Sequence, residues 1–188
     1  MWRKEVRLAG SGGQGLGLAA TVLADAALKA GLYATILQSY GPEARGGASR
    51  SDLTLSDQEI MNPWFDVPAV LLVLNAKAWE KFSSTLGSET QTIVDRDQVE
   101  IVDSPEVFQI AFERIAKGEL REKVVANMVA VGALGVMLKR IPREILADTA
   151  QRRAPRGYGE INRLAVLRGW EIMEQDQGGA DRGRITSA

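Results

Sequence analysis

The sequence predicts a single three-layer α/β domain built on a mixed, mainly parallel sheet. Three observations carry that expectation. Apolar runs of strand length alternate with helix-length segments along the chain, the order expected of an α/β sheet. A glycine-rich turn, Gly10-Ser11-Gly12-Gly13-Gln14-Gly15-Leu16-Gly17, joins the first apolar run to the first helical one. The run Ala69 to Leu74 is continuously apolar, as in a strand covered on both faces.

Taken in order, Val6 to Ala9 reads as the first strand and Leu16 to Ala30 as a helix with Ala19, Val22, Leu23 and Ala26 on its apolar side. Gly31 ends that helix, since glycine accepts the left-handed backbone of a helix C-terminus. Tyr33 to Leu37 is the second strand. Arg50 to Leu55 alternates, with Leu53 and Leu55 on one face and Asp52 and Thr54 on the other, and predicts a half-exposed strand. Gln91 to Asp95 and Val99 to Val102 are shorter strand candidates. Helices are expected at Pro105 to Lys117, Glu122 to Leu138, Pro142 to Gln151 and Glu160 to Glu174. The second of these is apolar around much of its circumference, which marks a core or interface helix, and Gly132 and Gly135 in it fit close helix approach. No linker or repeat divides residues 1–174, and the glycine- and charge-rich segment 175–188 reads as a disordered tail.

Composition excludes several classes of function. The chain has 188 residues, 45% hydrophobic and 25% charged, enough for one real core. A net charge of −1 offers no basic field for nucleic acid. No apolar stretch is long enough to span a membrane, and the N-terminus leads straight into a strand without a secretory signal. The expected location is the cytoplasm. Cys and His both number 0, which removes disulfides, thiolate ligation of iron–sulfur clusters and imidazole acid–base chemistry.

Gly10, Gly12 and Gly15 have the G-x-G-x-x-G spacing that cradles a dinucleotide phosphate on helix-terminal amides. A nicotinamide site also needs a carboxylate at the end of the second strand, yet that strand ends in Gln38-Ser39-Tyr40. No Lys-Ser/Thr pair follows the last glycine, so the P-loop pattern fails as well. The turn is therefore a phosphate or backbone docking site of another kind, or a tight structural turn. A free-standing nucleotide-binding α/β protein using Gly10 to Gly15 remains the alternative reading.

A second segment, Ser39-Tyr40-Gly41-Pro42-Glu43-Ala44-Arg45-Gly46-Gly47, follows the second strand directly. With the glycine loop, Leu55 to Ile60, Leu74-Asn75-Ala76 and Asn127-Met128, it resembles the gamma subunit of the 2-oxoacid:ferredoxin oxidoreductases. The resemblance implies a fold similar to the gamma domain of pyruvate:ferredoxin oxidoreductase. It also implies an enzyme that decarboxylates a 2-oxoacid, with 2-oxoglutarate the first choice and pyruvate or indolepyruvate next. Such a complex uses thiamine diphosphate, Mg²⁺ and iron–sulfur clusters, with coenzyme A as co-substrate. This chain would bind none of these cofactors alone and would lean on thiamine-diphosphate-binding and iron–sulfur partner subunits, passing electrons to ferredoxin through them.

The resemblance implies no catalytic acid or base here. The candidate ligand or interface residues are Gly12, Gly13, Gln14 and Gly15 in the first loop, and Tyr40, Gly41, Glu43, Arg45, Gly46 and Gly47 in the second. Gln14 is the only long side chain in its loop, and its amide both donates and accepts. Arg45 stands on a proline-stiffened turn, where its planar fork suits an anionic group, while a local pair with Glu43 would contribute little. Between Lys139 and Arg168 there are eight basic residues against three acidic ones, concentrated at Arg152, Arg153 and Arg156. A solvated surface explains that excess, and so does a site for the phosphates of coenzyme A or an acidic partner.

Overall fold

The computed structural model describes residues 1–39, 47–100 and 106–185. Six strands form one sheet in the order β2-β3-β1-β4-β5-β6. They are β1 (Arg3–Ser11), β2 (Tyr33–Ser39), β3 (Ala48–Ser56), β4 (Val70–Val73), β5 (Gln91–Asp95) and β6 (Val107–Ile110). β1, β4, β5 and β6 run parallel, and β3 is antiparallel to both β1 and β2. The helices are α1 (Leu16–Lys29), α2 (Ala76–Phe82), α3 (Phe112–Gly118), α4 (Ala126–Leu138), α5 (Arg143–Arg153) and α6 (Gly159–Ile185). The expected mixed α/β sheet is thus the observed one.

Side chains alternate across the sheet and divide the core in two. Val6, Leu8, Leu53, Leu55, Val70, Leu72 and Ile93 point to one face, where α1, α3, α4, α5 and α6 supply the rest of a large cluster. Ala9, Leu71, Val73 and Val94 point to the other, where Ala78 and Phe82 of α2 and Val99 complete a small one. α4 is buried from Asn127 to Leu138, which makes it the central core helix of the larger layer. Close approach explains its glycines. A Cβ on Gly132 would collide with the Val166 carbonyl, and one on Gly169 of α6 with the Val129 carbonyl.

Four expectations are corrected. β3 is not half-exposed: Asp52 and Thr54, its polar side, are 7% and 1% exposed. The Arg7 guanidinium lies directly opposite and grips Asp52 through two bonds of 2.8 and 2.9 Å, so the polar face is satisfied inside the protein. The chain from Asp57 to Pro68 straps over this pair. Second, the segment expected to begin a helix at Pro105 forms β6, because Val107 to Ile110 pair with Thr92 to Asp95 of β5; the helix starts only at Phe112. Third, Val99 lies in a turn after β5, its amide donating to the Asp95 carbonyl at 3.0 Å, and the remaining residues of that strand candidate, Ile101 and Val102, lie outside the described ones. Fourth, α6 runs on to Ile185, well past Glu174 and through Gly178, Gly179 and Gly183, against their low helix propensity. The sequence reading also passed over α2, a seven-residue helix whose N-terminus is capped by the Asn75 side chain on the Ala78 amide, 2.9 Å.

Candidate functional site

β1 and β4 are adjacent and parallel, but their connections leave on opposite sides. α1 packs into the large cluster and α2 into the small one. A crevice opens at such a switch point beyond the carboxyl ends of the strands, the usual ligand position in open α/β sheets. The glycine loop occupies it.

The loop's shape follows from its residues. Gly13 and Gly15 adopt φ of +88° and +73°, which side-chain-bearing residues rarely reach. Gly15 is also the N-cap of α1, and among the described residues no side-chain capping bond closes that helix start. A Cβ at Gly15 would collide with the Asn127 side chain, whose Nδ2 donates to the Gly15 carbonyl at 3.3 Å. Space beside Gly13 is open.

Gln14 turns inward. Its Oε1 accepts from the Ser11 amide at 2.7 Å and from Asn75 Nδ2 at 2.7 Å, and its Nε2 donates to the Leu74 carbonyl at 3.3 Å. Asn75 Nδ2 also donates to Ser11 Oγ at 3.0 Å. One amide side chain thereby locks the β1 turn to the β4 turn, leaving the loop's backbone as the surface presented outward.

Three hollows meet at this loop. One of about 410 Å³ is bordered by Gly13, Gln14, Asp95, Glu113, Lys123 and Asn127. A second, about 240 Å³, runs from Gly13, Gln14 and Gly15 to Pro155, Tyr158 and Asn162 of the α5–α6 turn. The third, about 350 Å³, lies between Gly12, Gly13 and Gly15 and the residues Gln38, Ser49 and Arg50. Gln38 and Ser49 flank the second motif in sequence. Within that motif, Tyr40, Gly41, Glu43, Arg45 and Gly46 lie outside the described residues. Gly47 immediately precedes β3, whose Ala48 pairs with Ser11.

Asp95 is the site residue that sequence reasoning missed. It ends β5 at the crevice, 1% exposed, and accepts from the Asp97 amide at 2.9 Å and the Glu113 amide at 3.3 Å. Burial pushes its carboxyl up to about 6, against the pull of those two backbone bonds. A carboxylate closing an otherwise buried strand was the available signal. Asn75 and Asn127, quoted above only for the resemblance, now have physical tasks as a cap and as a loop anchor.

The basic segment is largely neutralised. Arg143 pairs with Glu171, Arg163 with Glu144 and Asp148, Arg168 with Glu119, and Arg153 with Asp25 of α1. Arg140 stacks 5.6 Å from the Trp2 ring. Arg152 and Arg156 are exposed, and Arg156 is next in chain to Pro155, which borders the hollow shared with Gly13 to Gly15.

Comparison with known proteins bears on all of this geometry. The chain is 38% identical over 178 residues to the 2-oxoglutarate synthase subunit KorC of Methanocaldococcus jannaschii, covering 92% of this chain and 95% of that one. It is 40% identical to KorC of Methanothermobacter marburgensis over 93% and 99% of the two chains. The crystal structure of a keto/oxoacid ferredoxin oxidoreductase gamma subunit from Geobacter sulfurreducens superposes with a TM-score of 0.81 at 34% identity, over 92% and 99% of the chains. At 22% identity, 2-oxoglutarate:ferredoxin oxidoreductase from Magnetococcus marinus shares the fold, TM-score 0.73, and there the matched region is only 32% of a longer chain. A family model for pyruvate ferredoxin/flavodoxin oxidoreductase matches residues 5–172, the whole sheet and the crevice it carries, and the chain therefore belongs to that family.

Proposed function

We propose that this chain is the gamma-type subunit of a 2-oxoglutarate:ferredoxin oxidoreductase. Such an enzyme decarboxylates its 2-oxoacid oxidatively, yields an acyl-coenzyme A and reduces ferredoxin. The observation that carries the reading is the end-to-end match to KorC subunits. The free-standing nucleotide-binding alternative gains no support, because chains of nearly the same extent are named as subunits of an oxidoreductase.

Within the complex, thiamine diphosphate, Mg²⁺ and the clusters are assigned to sister subunits. This chain's residues do not fit a cluster, since the sequence has no Cys and no His. No described helix is long and apolar enough to cross a membrane. What the chain offers is a glycine-rich backbone loop at the start of α1 and, one residue along the chain from Pro155 at the border of its hollow, the exposed Arg156. We assign the Gly12–Gly15 loop, with Arg152 of the last turn of α5 and Arg156 of the α5–α6 turn, to the phosphates of coenzyme A. The start of α1, uncapped by any described side chain, and the open space at Gly13 support that assignment.

Reconstitution of the complex with and without this chain tests the proposal. Ferredoxin reduction driven by 2-oxoglutarate is expected only when the chain is present. The double variant Arg152→Ala/Arg156→Ala should raise the KM for coenzyme A several-fold and leave that for 2-oxoglutarate unchanged. An unaltered coenzyme A KM would remove the arginines from the site, and full activity without the chain would remove the function.

A further inference from the structure

The two edges of the sheet are built differently. β6 is four residues long, and short edges resist pairing with other chains. β2 has seven residues, Tyr33 to Ser39, and contains no charge and no proline. Lysine, proline and bulges are the devices that keep a long edge from adding another strand, and β2 carries none of them.

The face beside this edge is equally unguarded. Tyr33 is 49% exposed and sits opposite Ser56, where the Asp57–Pro68 strap leaves β3. The strap then projects Met61, 86% exposed, and Trp64, 69% exposed. Its backbone is nonetheless pinned. Trp64 donates its amide to Asn62 Oδ1 at 3.0 Å, Arg3 holds the Asn62 carbonyl at 2.9 Å, and Thr54 holds the Pro63 carbonyl at 3.0 Å. Thr54 is the register partner of Thr35, so the pinned strap stands beside β2 on the same face. The buried Oγ1 of Thr35 has no hydrogen-bond partner. An exposed tryptophan on a fixed backbone, next to a strand edge that no described strand pairs with, has the anatomy of a binding hot spot.

The chemistry of the surface selects its occupant. Neither β2 nor the segment Ile60 to Phe65 contains a charged residue, while exposed Asp57, Glu59 and Asp66 lie on the strap to either side, so the surface has an uncharged centre and an acidic rim and does not suit nucleic acid or an acidic peptide. It fits a neutral, extended chain segment backed by apolar side chains. Relatives of this chain are subunits, and in the Magnetococcus protein the same fold is about a third of one longer chain, 32%, where companion domains are always at hand. We infer that β2, with Tyr33, Met61 and Trp64 beside it, docks a sister subunit of the same enzyme, which adds an uncharged extended strand to the β2 edge. This inference rests on the subunit reading above.

Hydrogen exchange on the assembled complex and on the isolated full-length chain tests it. Amides of residues 33–39 should exchange at least tenfold more slowly in the complex. Unchanged exchange in a complex that does form would overturn the docking edge while leaving the subunit reading intact. Protection that appears in the isolated chain and grows with its concentration would assign the edge to a second copy and overturn the inference too. A chain that does not assemble with its sister subunits would sink both. The variants Tyr33→Lys and Trp64→Ser should each weaken assembly about tenfold with the melting temperature of the free chain retained. Wild-type assembly in both would refute the surface.

Discussion

The two faces of the sheet are closed by different physics. On one, five helices bury a continuous apolar layer, and α4 meets α6 through Gly132 and Gly169 at backbone contact. On the other, a single short helix covers the β1-β4-β5 half, while the β3 half is sealed by an ion pair under a strap. Arg7 is the keystone there. It is 1% exposed, binds Asp52 bidentately, donates to the Asp66 carbonyl at 3.2 Å and lies 5.2 Å from the Phe65 ring. The first face depends on shape and the second on charge, so each should fail in its own way.

The largest effect is expected from breaking the charged seal. Arg7→Met takes the bidentate partner from the buried Asp52 carboxylate and leaves it the half-exposed Arg50, 3.5 Å away, and loss of the buried partner of such a pair costs about 4 kcal/mol. Arg7→Met/Asp52→Leu should recover most of that, which a denaturant titration of the double variant would show. A double variant as unstable as the single one would mean that the strap, rather than the charge balance, closes this face.

Next comes the shape-dependent face. Gly169→Ala drives a methyl into the Val129 carbonyl and should cost about 3 kcal/mol as α4 and α6 part. No hydrophobic replacement at this position should restore stability, because the obstacle is backbone. A melting temperature within a degree of wild type would contradict the close contact.

The smallest of the three lies at the crevice edge of the sheet. The Asp95 carboxyl titrates near 6 in the fold against an ordinary value of 3.8, so its ionisation opposes folding. Its favourable contribution is complete below about pH 4 and is lost as pH rises through 6. The shift corresponds to about 3 kcal/mol, and Asn keeps one acceptor oxygen, so the loss of one of the two backbone bonds offsets about 1 of it, leaving about 2 in favour of Asp95→Asn at neutral pH. Thermal melts from pH 4 to pH 8 should therefore show the variant gaining on wild type across pH 4–6. A constant difference would place the carboxylate in a more polar setting than its burial implies.

The apolar half of this architecture was legible in the sequence because periodicity reports burial directly. Leu53 and Leu55, the run ending in Leu74, and the all-round apolar α4 each landed in the core. Gly31, read as a helix stop, has φ of +80° just after α1. The polar half was not legible. Asp52 and Thr54 alternate as an exposed face would, and their burial rests on partners that local pattern does not show: Arg7 of the partner strand, 45 residues away, for Asp52, and the Pro63 carbonyl of the strap for Thr54. β6 was hidden for a related reason: its four residues become a strand through pairing with β5, a tertiary preference that local pattern does not carry.

At the candidate site, the glycines were visible as glycines, and their spacing placed the loop at the strand–helix junction. The direction of Gln14 was not visible, because its hydrogen-bond partners belong to β1 and to the turn after β4, 60 residues on. Asp95 escaped because a carboxylate at a strand end is usually solvated. The arginines of 152–156 were visible as a cluster, but Asp25, which pairs with Arg153, comes from α1 and could be matched only in space.

The inward turn of Gln14 has a kinetic meaning. A glycine-rich loop left to itself would sample many backbone shapes, and any ligand arriving there would have to wait for the right one. Tied to Ser11, Leu74 and Asn75, the loop holds one shape before the encounter. Its conformational entropy is lost once, at folding, and binding need not repeat that loss. Recognition at this crevice is thus a matter of collision and fit rather than of search.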